Sequence, residues 1–151
     1  MRKNKAVWLL PLAVMAVIWF FSSRPGEESS MMSGDLLLFI LKLVKGIFPG
    51  ISVDDWMEIL SYPFRKLGHV TEFTALFFSF LFAMRTNGFR EDVLDAFGLT
   101  FLYACSDEYH QIFVPDRAGR VEDVIIDCLL PGIIVLVCLF LRRCRRSKDL
   151  E

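Results

Sequence analysis

The sequence lacks an excess of charge of either sign. It contains 17 lysines and arginines against 18 aspartates and glutamates, which gives a formal net charge of −1 at pH 7. Domains that bind nucleic acid are usually strongly basic, because they must neutralise phosphates. The charge balance therefore argues against nucleic acid as a partner.

The sequence also lacks the short motifs of common metal and catalytic sites. The patterns G-x-S-x-G, H-E-x-x-H and the P-loop are absent. None of the cysteines forms a C-x-x-C pair, and three of them lie in or beside apolar runs, where cysteine packs as a small hydrophobe. No zinc motif or disulfide framework can be read from the four, which are Cys105, Cys128, Cys138 and Cys144.

Apolar side chains, by contrast, are abundant. Hydrophobic residues make up 54% of the 151 residues, with 15 phenylalanines and 3 tryptophans, and the mean hydropathy is +0.46. This is more than an average soluble domain contains. It excludes a disordered chain, because disordered chains are poor in apolar residues. The composition favours a protein of the lipid bilayer.

The first apolar run, residues 6–21, follows a basic start and has the look of a signal peptide. However, its exit, FFSS at residues 20–23, places a phenylalanine at position −3 for either serine, which breaks the small-x-small rule for cleavage. We therefore expect a retained transmembrane helix over about 6–22.

Three further spans are predicted at about 68–84, 93–112 and 124–141. The second of these has only ten continuous apolar residues, so it can cross only if Asp95 and Asp107 lie near opposite interfaces. Four spans place both termini on one side of the membrane. The positive-inside rule predicts that this side is the cytoplasm, because eight basic residues flank the ends: Arg2, Lys3, Lys5, Arg142, Arg143, Arg145, Arg146 and Lys148.

Residues 23–65 connect the first two spans and are predicted to face outward. The connection opens with a polar, flexible stretch. An amphipathic helix follows over Asp35–Phe48, with an apolar stripe. A second short helix is capped by Ser52 and runs to about Leu60. Both are too short or too charged to span, so we expect them to lie in the interface. The predicted fold is an all-α membrane protein, a four-transmembrane-helix bundle with one or two interfacial amphipathic helices between spans 1 and 2. It forms a single domain over 1–149, and residues 150–151 could come from cloning.

Polar residues that are unusual in a membrane gather near the predicted outer ends of the spans. An aspartate at the centre of a membrane helix costs about 2.5–3.5 kcal/mol on insertion scales, and less near the interface. Several such residues are hard to keep unless they contact one another or a ligand. The candidate catalytic residues are His69, Glu72, Asp107 and His110, and the candidate ligand-binding residues are Glu108, Gln111, Arg117, Arg120, Asp123 and Asp127.

A structural alternative stays open. Arg117 or Arg120 could pair with an aspartate, either Asp107, Asp123 or Asp127, and so hold three helices together. A divalent metal among the acidic residues is conceivable, but no spacing is diagnostic and no metal site is predicted. The apolar stripe of the second span is assigned to packing or lipid contact: Phe73, Leu76, Phe77 and Phe80.

Three stretches carry a resemblance to a known family. They are FRKLGHVTEF at 64–73, YACSDEYHQIFVPDR at 103–117 and DVIID at 123–127. Together they resemble the VanZ-like family, whose hallmarks are K-x-x-H-x-x-E/Y, D-E-x-x-Q-x-F-x-P-G-R and D-x-x-x-D/N. The exit of the first span, residues 21–29, also resembles that family, and the similarity covers roughly residues 15–135. Two positions depart from the pattern, since Asp116 and Leu130 stand where the family usually has glycine.

The resemblance implies a bacterial cell-membrane protein whose family namesake lowers susceptibility to the lipoglycopeptide teicoplanin, without implying a known reaction. Two main hypotheses follow. The protein binds the drug, a membrane lipid or a lipid-linked cell-wall precursor, or it is an enzyme acting on such a lipid-linked phosphate. In the enzyme, Glu72 or Asp107 would orient His69 or His110 as general base, and Arg117 would hold an anionic headgroup. A transporter is a third hypothesis, weakened because four spans would have to oligomerise to enclose a path.

Overall fold

The computed structural model describes residues 4–47, 50, 52–89 and 92–148, and this part of the chain is helical with no strand. The predicted all-α class is confirmed. The last two residues, 150–151, lie outside the described part. A short 3-10 helix, Lys5–Trp8, leads into five α-helices: α1 (Leu9–Ser22), α2 (Gly26–Ile47), α3 (Val53–Thr86), α4 (Asp92–Gln111) and α5 (Val121–Lys148).

Three helical segments are long and apolar enough to cross a membrane: Lys5–Ser22, Val53–Thr86 and Val121–Arg145. They contain three of the four predicted spans. The remaining one, 93–112, forms α4 almost residue for residue, but it is not among the segments that qualify by length and hydropathy.

Helix α3 differs from the prediction. A short helix ending near Leu60 and a separate span from 68 were expected, but the structure has one helix of 34 residues that continues through Pro63. Its start is as predicted, since the Ser52 hydroxyl accepts a hydrogen bond from the backbone N–H of Asp55. At 1.5 Å per residue the helix is about 51 Å long, while a bilayer core is only about 30 Å thick. The first turns of α3 therefore extend beyond the part that can cross.

Helix α2 begins earlier than predicted. The connection was expected to be polar and flexible over 23–30, but it is helical from Gly26 onward. The backbone N–H of Gly26 donates to the Pro115 carbonyl, which anchors this end. Two acidic residues in the first turn also suit the positive end of the helix dipole. The helix packs on α3 through Leu37 and Leu41. Its predicted apolar stripe is exposed: Leu36, Phe39, Ile40, Leu43 and Ile47.

The core lies between α1, α3, α4 and α5. The predicted packing residues of α3 are all buried, and Phe73, Leu76 and Phe77 are inaccessible. They meet small side chains of α4, which allow the helices to approach closely. The cluster also includes Ile18, Val93, Ala96, Ala104, Val124 and Val135.

At one end of the bundle a single carboxylate links three helices. Asp92, at the start of α4, accepts hydrogen bonds from Arg85 of α3 and Arg142 of α5. The carboxylate is only 8% exposed, whereas both guanidinium groups are about half exposed. Water screens such pairs in part, so their main role is to fix the three helix ends relative to one another.

We expect Asp92→Asn to lower the stability of the bundle by about 1 kcal/mol, because partly exposed ion pairs each contribute a fraction of a kcal/mol. The measurement is thermal unfolding in detergent. Asp95→Asn is the matched control, since Asp95 lies one turn further along the same helix and is exposed. Equal melting temperatures for the two variants would contradict the linking role.

Candidate functional site

The other end of the bundle holds a polar cavity of about 370 Å³. It is enclosed by α3, α4, α5, the start of α2 and the loop at 112–120. We call this end of the bundle the polar end. Seven of the ten predicted site residues line the cavity: His69, Glu108, Gln111, Arg117, Arg120, Asp123 and Asp127.

The polar end lies at the same depth in α4 and α5. Asp107 is 15 residues from Asp92 in α4, and Asp127 is 15 residues from Arg142 in α5. In both helices the polar end therefore lies about 22 Å from the end of the bundle where Asp92 binds Arg142, at 1.5 Å per residue. Shared depth was the reason for expecting these residues to gather, and the structure places them in one layer.

A hydrogen-bonded triad behind the cavity joins α1 to α4. The Ser22 hydroxyl donates to Asp107 Oδ2 at 2.7 Å, and Gln111 Nε2 donates to the same oxygen at 2.9 Å and to Ser22 Oγ at 2.8 Å. Ser22 and Asp107 are each 1% exposed. Asp107 is therefore a buried link between helices and does not line the cavity.

Ser22 was missing from the predicted site. The signals in the sequence were a hydroxyl at the end of an otherwise apolar run and its place in the stretch at 21–29 that resembles the VanZ-like family. Serine at a helix exit is common, so these signals alone could not single it out.

Arg117 binds backbone rather than an aspartate. Its Nε donates to the Arg24 carbonyl at 2.9 Å and its Nη2 to the Phe21 carbonyl at 3.0 Å. These carbonyls lie at the C-terminal end of α1, where a cation is favoured by the helix dipole. Burial lowers the pKa of the Arg117 guanidinium below its ordinary value, and the Asp107 carboxylate opposes this shift. The group stays charged, because arginine is effectively always protonated.

The ion pair that does form in the layer is a different one from those expected. Lys66 Nζ lies 2.6 Å from Asp123 Oδ1, and both side chains are less than one-fifth exposed. The backbone N–H of Arg120 donates to Glu108 Oε2 at 2.9 Å. Lys66 was not among the predicted site residues, although it is the lysine of the K-x-x-H motif. Its place three residues before His69, on the same helix face, was the available signal.

The loop at 112–120 is held by close backbone approach. A Cβ atom at Gly26 would lie 2.0 Å from the Asp116 carbonyl oxygen, and one at Gly119 would lie 2.2 Å from the Glu108 carbonyl oxygen. Asp116 has a φ of 58°, in the left-handed region that glycine adopts freely and aspartate tolerates. This explains how aspartate can stand where the VanZ-like pattern has glycine.

Two buried polar atoms on cavity-lining residues have no hydrogen-bond partner among the described residues, His69 Nδ1 and Asp127 Oδ2. Asp107 Oδ1 is a third such atom, behind the cavity. Buried polar atoms are nearly always paired, because an unpaired one costs about 1–3 kcal/mol. Two residues of the cavity lining therefore carry hydrogen-bonding capacity that no described residue fills.

Glu72 belongs to a second cavity beside the first. This is a groove of about 550 Å³ between α1, α2 and α3, with Glu72, His69 and Arg117 among its polar residues. Most of its wall is apolar or small: Phe21, Met32, Leu36, Phe64, Leu67, Gly68 and Thr71.

His110 is the one predicted site residue that lines neither the polar cavity nor the groove and is not part of the buried triad. Its ring stacks on Trp19 with centroids 3.9 Å apart, and its Nε2 lies 3.2 Å from Ser23 Oγ. Within the described chain, neither histidine forms the hydrogen bond to a carboxylate that the general-base hypothesis requires. Among the same residues, no group of three His, Cys, Asp or Glu side chains is arranged to hold a metal ion.

We expect Ser22→Ala to lower the stability of the protein by about 1 kcal/mol. The substitution removes both hydrogen bonds of a buried hydroxyl, and each polar contact of this kind in a membrane protein is worth about 0.6 kcal/mol on average. Thermal unfolding in detergent measures it. The control is Ser106→Ala, since the exposed Ser106 hydroxyl bonds only a carbonyl of its own helix. A Ser22 variant as stable as the Ser106 variant would show that the triad does not hold α1.

Comparison with protein-family models gives one match, in which the VanZ/LLP1 model covers residues 7–143, nearly the whole chain. No curated protein and no solved structure matches the chain.

Proposed function

The chain belongs to the VanZ/LLP1 family, and from that premise we propose that it binds a ligand in the polar cavity at the outer leaflet of a bacterial cell membrane. Its effect is to lower susceptibility to teicoplanin, by binding the lipoglycopeptide itself, a lipid or a lipid-linked cell-wall precursor. The observation that carries the proposal is the pair of unpartnered buried atoms on the cavity wall, His69 Nδ1 and Asp127 Oδ2.

Binding is better supported than catalysis. An enzyme acting on a lipid-linked phosphate would use His69 as a base, and a base is usually oriented by a carboxylate. Glu72 lines the same groove as His69, but the two form no hydrogen bond in the described chain. Asp107 is committed to Ser22 and Gln111. The polar groups are thus arranged to hold a ligand, while a proton-transfer pair is absent from the part of the chain that the structure describes.

We further propose that α4 is a fourth span and that both termini are cytoplasmic. Helix α4 packs along α3 and α5 from one polar end to the other, and its 20 residues reach about 30 Å. A helix of modest hydropathy can still cross the membrane here, because the faces of α4 that pack against α3 and α5 do not contact lipid. Basic residues at both ends of the chain then satisfy the positive-inside rule, and the cavity faces outward.

This topology is tested by cysteine labelling in intact cells. After the four native cysteines are replaced, cysteine at Glu27 or Ala118 should react with an impermeant maleimide, and cysteine at Asn87 should react only after permeabilisation. Ala118 is chosen over the neighbouring Gly119 because a side chain at Gly119 would strike the Glu108 backbone. Labelling at Asn87 in intact cells would rule out four spans.

We expect Asp127→Asn to abolish most of the teicoplanin protection while leaving the protein as stable as the parent, or more stable. The carboxylate oxygen has no partner, so removing its charge relieves a burial cost. Loss of a charged hydrogen bond to the ligand costs about 1.5–3 kcal/mol, which is roughly 10- to 150-fold in affinity. The measurements are the minimal inhibitory concentration of teicoplanin, the membrane level and the melting temperature.

The matched control for this experiment is Asp95→Asn, an exposed aspartate far from the cavity. It should retain full protection. If Asp127→Asn lowers both stability and protein amount, Asp127 has a structural role and the cavity loses its main support as a binding site.

A further inference from the structure

The polar cavity and the apolar groove share part of their walls. Four residues line both: Ser29, Arg65, His69 and Arg117. We call the place where these four side chains meet the junction. A molecule with a polar part and an apolar part can therefore occupy both spaces at once. Volumes of about 370 and 550 Å³ lie within the range that small-molecule pockets usually have.

The junction carries two guanidinium charges that donate to neutral acceptors. Arg65 Nη1 donates to Ser30 Oγ at 2.6 Å, and Arg117 donates to two backbone carbonyls. All of these acceptors are neutral. Among the described residues, neither arginine has a carboxylate oxygen within 4 Å. Arginines elsewhere in the structure, such as Arg24 and Arg142, do pair with acids.

The two guanidinium groups also act on each other. Burial lowers the pKa of Arg117, the Asp107 carboxylate opposes this shift, and the positive charge of Arg65 adds to the lowering. Two like charges held together without a counter-ion repel, and an anion between them would remove the repulsion. A guanidinium fork matches the oxygens of a phosphate, with short charge-assisted hydrogen bonds.

We infer that the ligand is an anionic amphiphile whose phosphate binds at the junction between Arg65 and Arg117, with an apolar chain in the groove between α1, α2 and α3. The inference rests on the proposed function as a binder and names the chemical class of the ligand. The groove wall that would meet the chain is apolar, with Phe21, Met32 and Leu36 on one side and Phe64 and Leu67 on the other. Beyond the phosphate, the rest of the headgroup reaches His69 and Asp127 in the polar cavity.

A single substitution can fill the groove. Gly68 lines it, and a Cβ atom there would meet nothing within 4 Å. Gly68→Phe therefore adds a ring to the groove wall at a position where the Cβ atom itself meets no neighbour. Gly98→Phe is the matched control, because Gly98 is also a helical glycine with open space around it and lines neither cavity.

The experiment measures binding to the purified full chain in detergent, by quenching of tryptophan fluorescence with brominated probes. The probes are a long-chain alkyl phosphate and a neutral alkyl glucoside with the same chain, and unlabelled inorganic phosphate serves as competitor. The alkyl phosphate should bind at least about tenfold more tightly than the glucoside, and inorganic phosphate should compete weakly. Arg65→Gln should remove this preference, whereas Arg65→Lys, which keeps the charge but not the fork, should retain part of it.

Gly68→Phe should weaken binding of both long-chain probes at least about tenfold, while Gly98→Phe and the exposed Arg143→Gln bind as the parent does. Equal binding of phosphate and glucoside, or a Gly68→Phe variant with parental affinity, would overturn the inference. Competition by inorganic phosphate as strong as by the alkyl phosphate would also overturn it, because the site would then take the free ion.

Two sources of the amphiphile are separated by competition with phosphatidic acid and with a polyprenyl phosphate. Displacement by either supports the inference, and the stronger competitor identifies the source. The proposed function is judged independently by the teicoplanin protection of Asp127→Asn. If that variant loses protection but no alkyl phosphate binds to the parent protein, the proposed binding function still stands and the inferred class of ligand is wrong.

Discussion

The geometry of the whole polar end depends on one buried carboxylate. Asp107 lies near the C-terminal end of α4, at the polar end of the bundle, with 1% of its surface exposed, so its charge must be satisfied inside the protein. It is satisfied by Ser22, the last residue of α1, and by Gln111. This fixes the end of α1 against α4. Arg117 then binds the carbonyls of the same helix end and ties the loop at 112–120 to it. The walls of both cavities follow from these two attachments.

The helices and the polar layer could be predicted from the sequence because both depend on local pattern. Apolar runs define α1 and α5, and rare polar residues at equal distances from the helix ends define the layer. Three features depend on tertiary contacts and could not be predicted. A short helix ending near Leu60 and a separate span from 68 were expected, but α3 continues through Pro63. The early start of α2 depends on the Pro115 carbonyl. The groove exists only because α2 lies against α3.

Residues that were equivalent in the sequence have different roles in the structure. Both histidines stood close to acidic residues, yet His110 stacks on Trp19 and His69 lies at the junction. Asp107, Asp123 and Asp127 were alike as rare membrane carboxylates. In the structure the first joins helices, the second pairs with Lys66, and the third has an oxygen without a partner. Sequence identifies which residues need an explanation, but only the contacts show which explanation applies.

The acidic residues of the cavity first argue against an anionic ligand, since they are about as numerous as the basic ones. However, two of these acidic residues already have partners within the protein. Asp123 is neutralised by Lys66, and Glu108 accepts a backbone hydrogen bond from Arg120. The guanidinium groups of the junction have only neutral acceptors. At one end of the site the guanidinium groups of the junction lack an ion pair, and at the other end Asp127 Oδ2 lacks a hydrogen-bond donor among the described residues. A headgroup with a phosphate followed by a hydroxyl or amine donor satisfies both ends, which a simple anion does not.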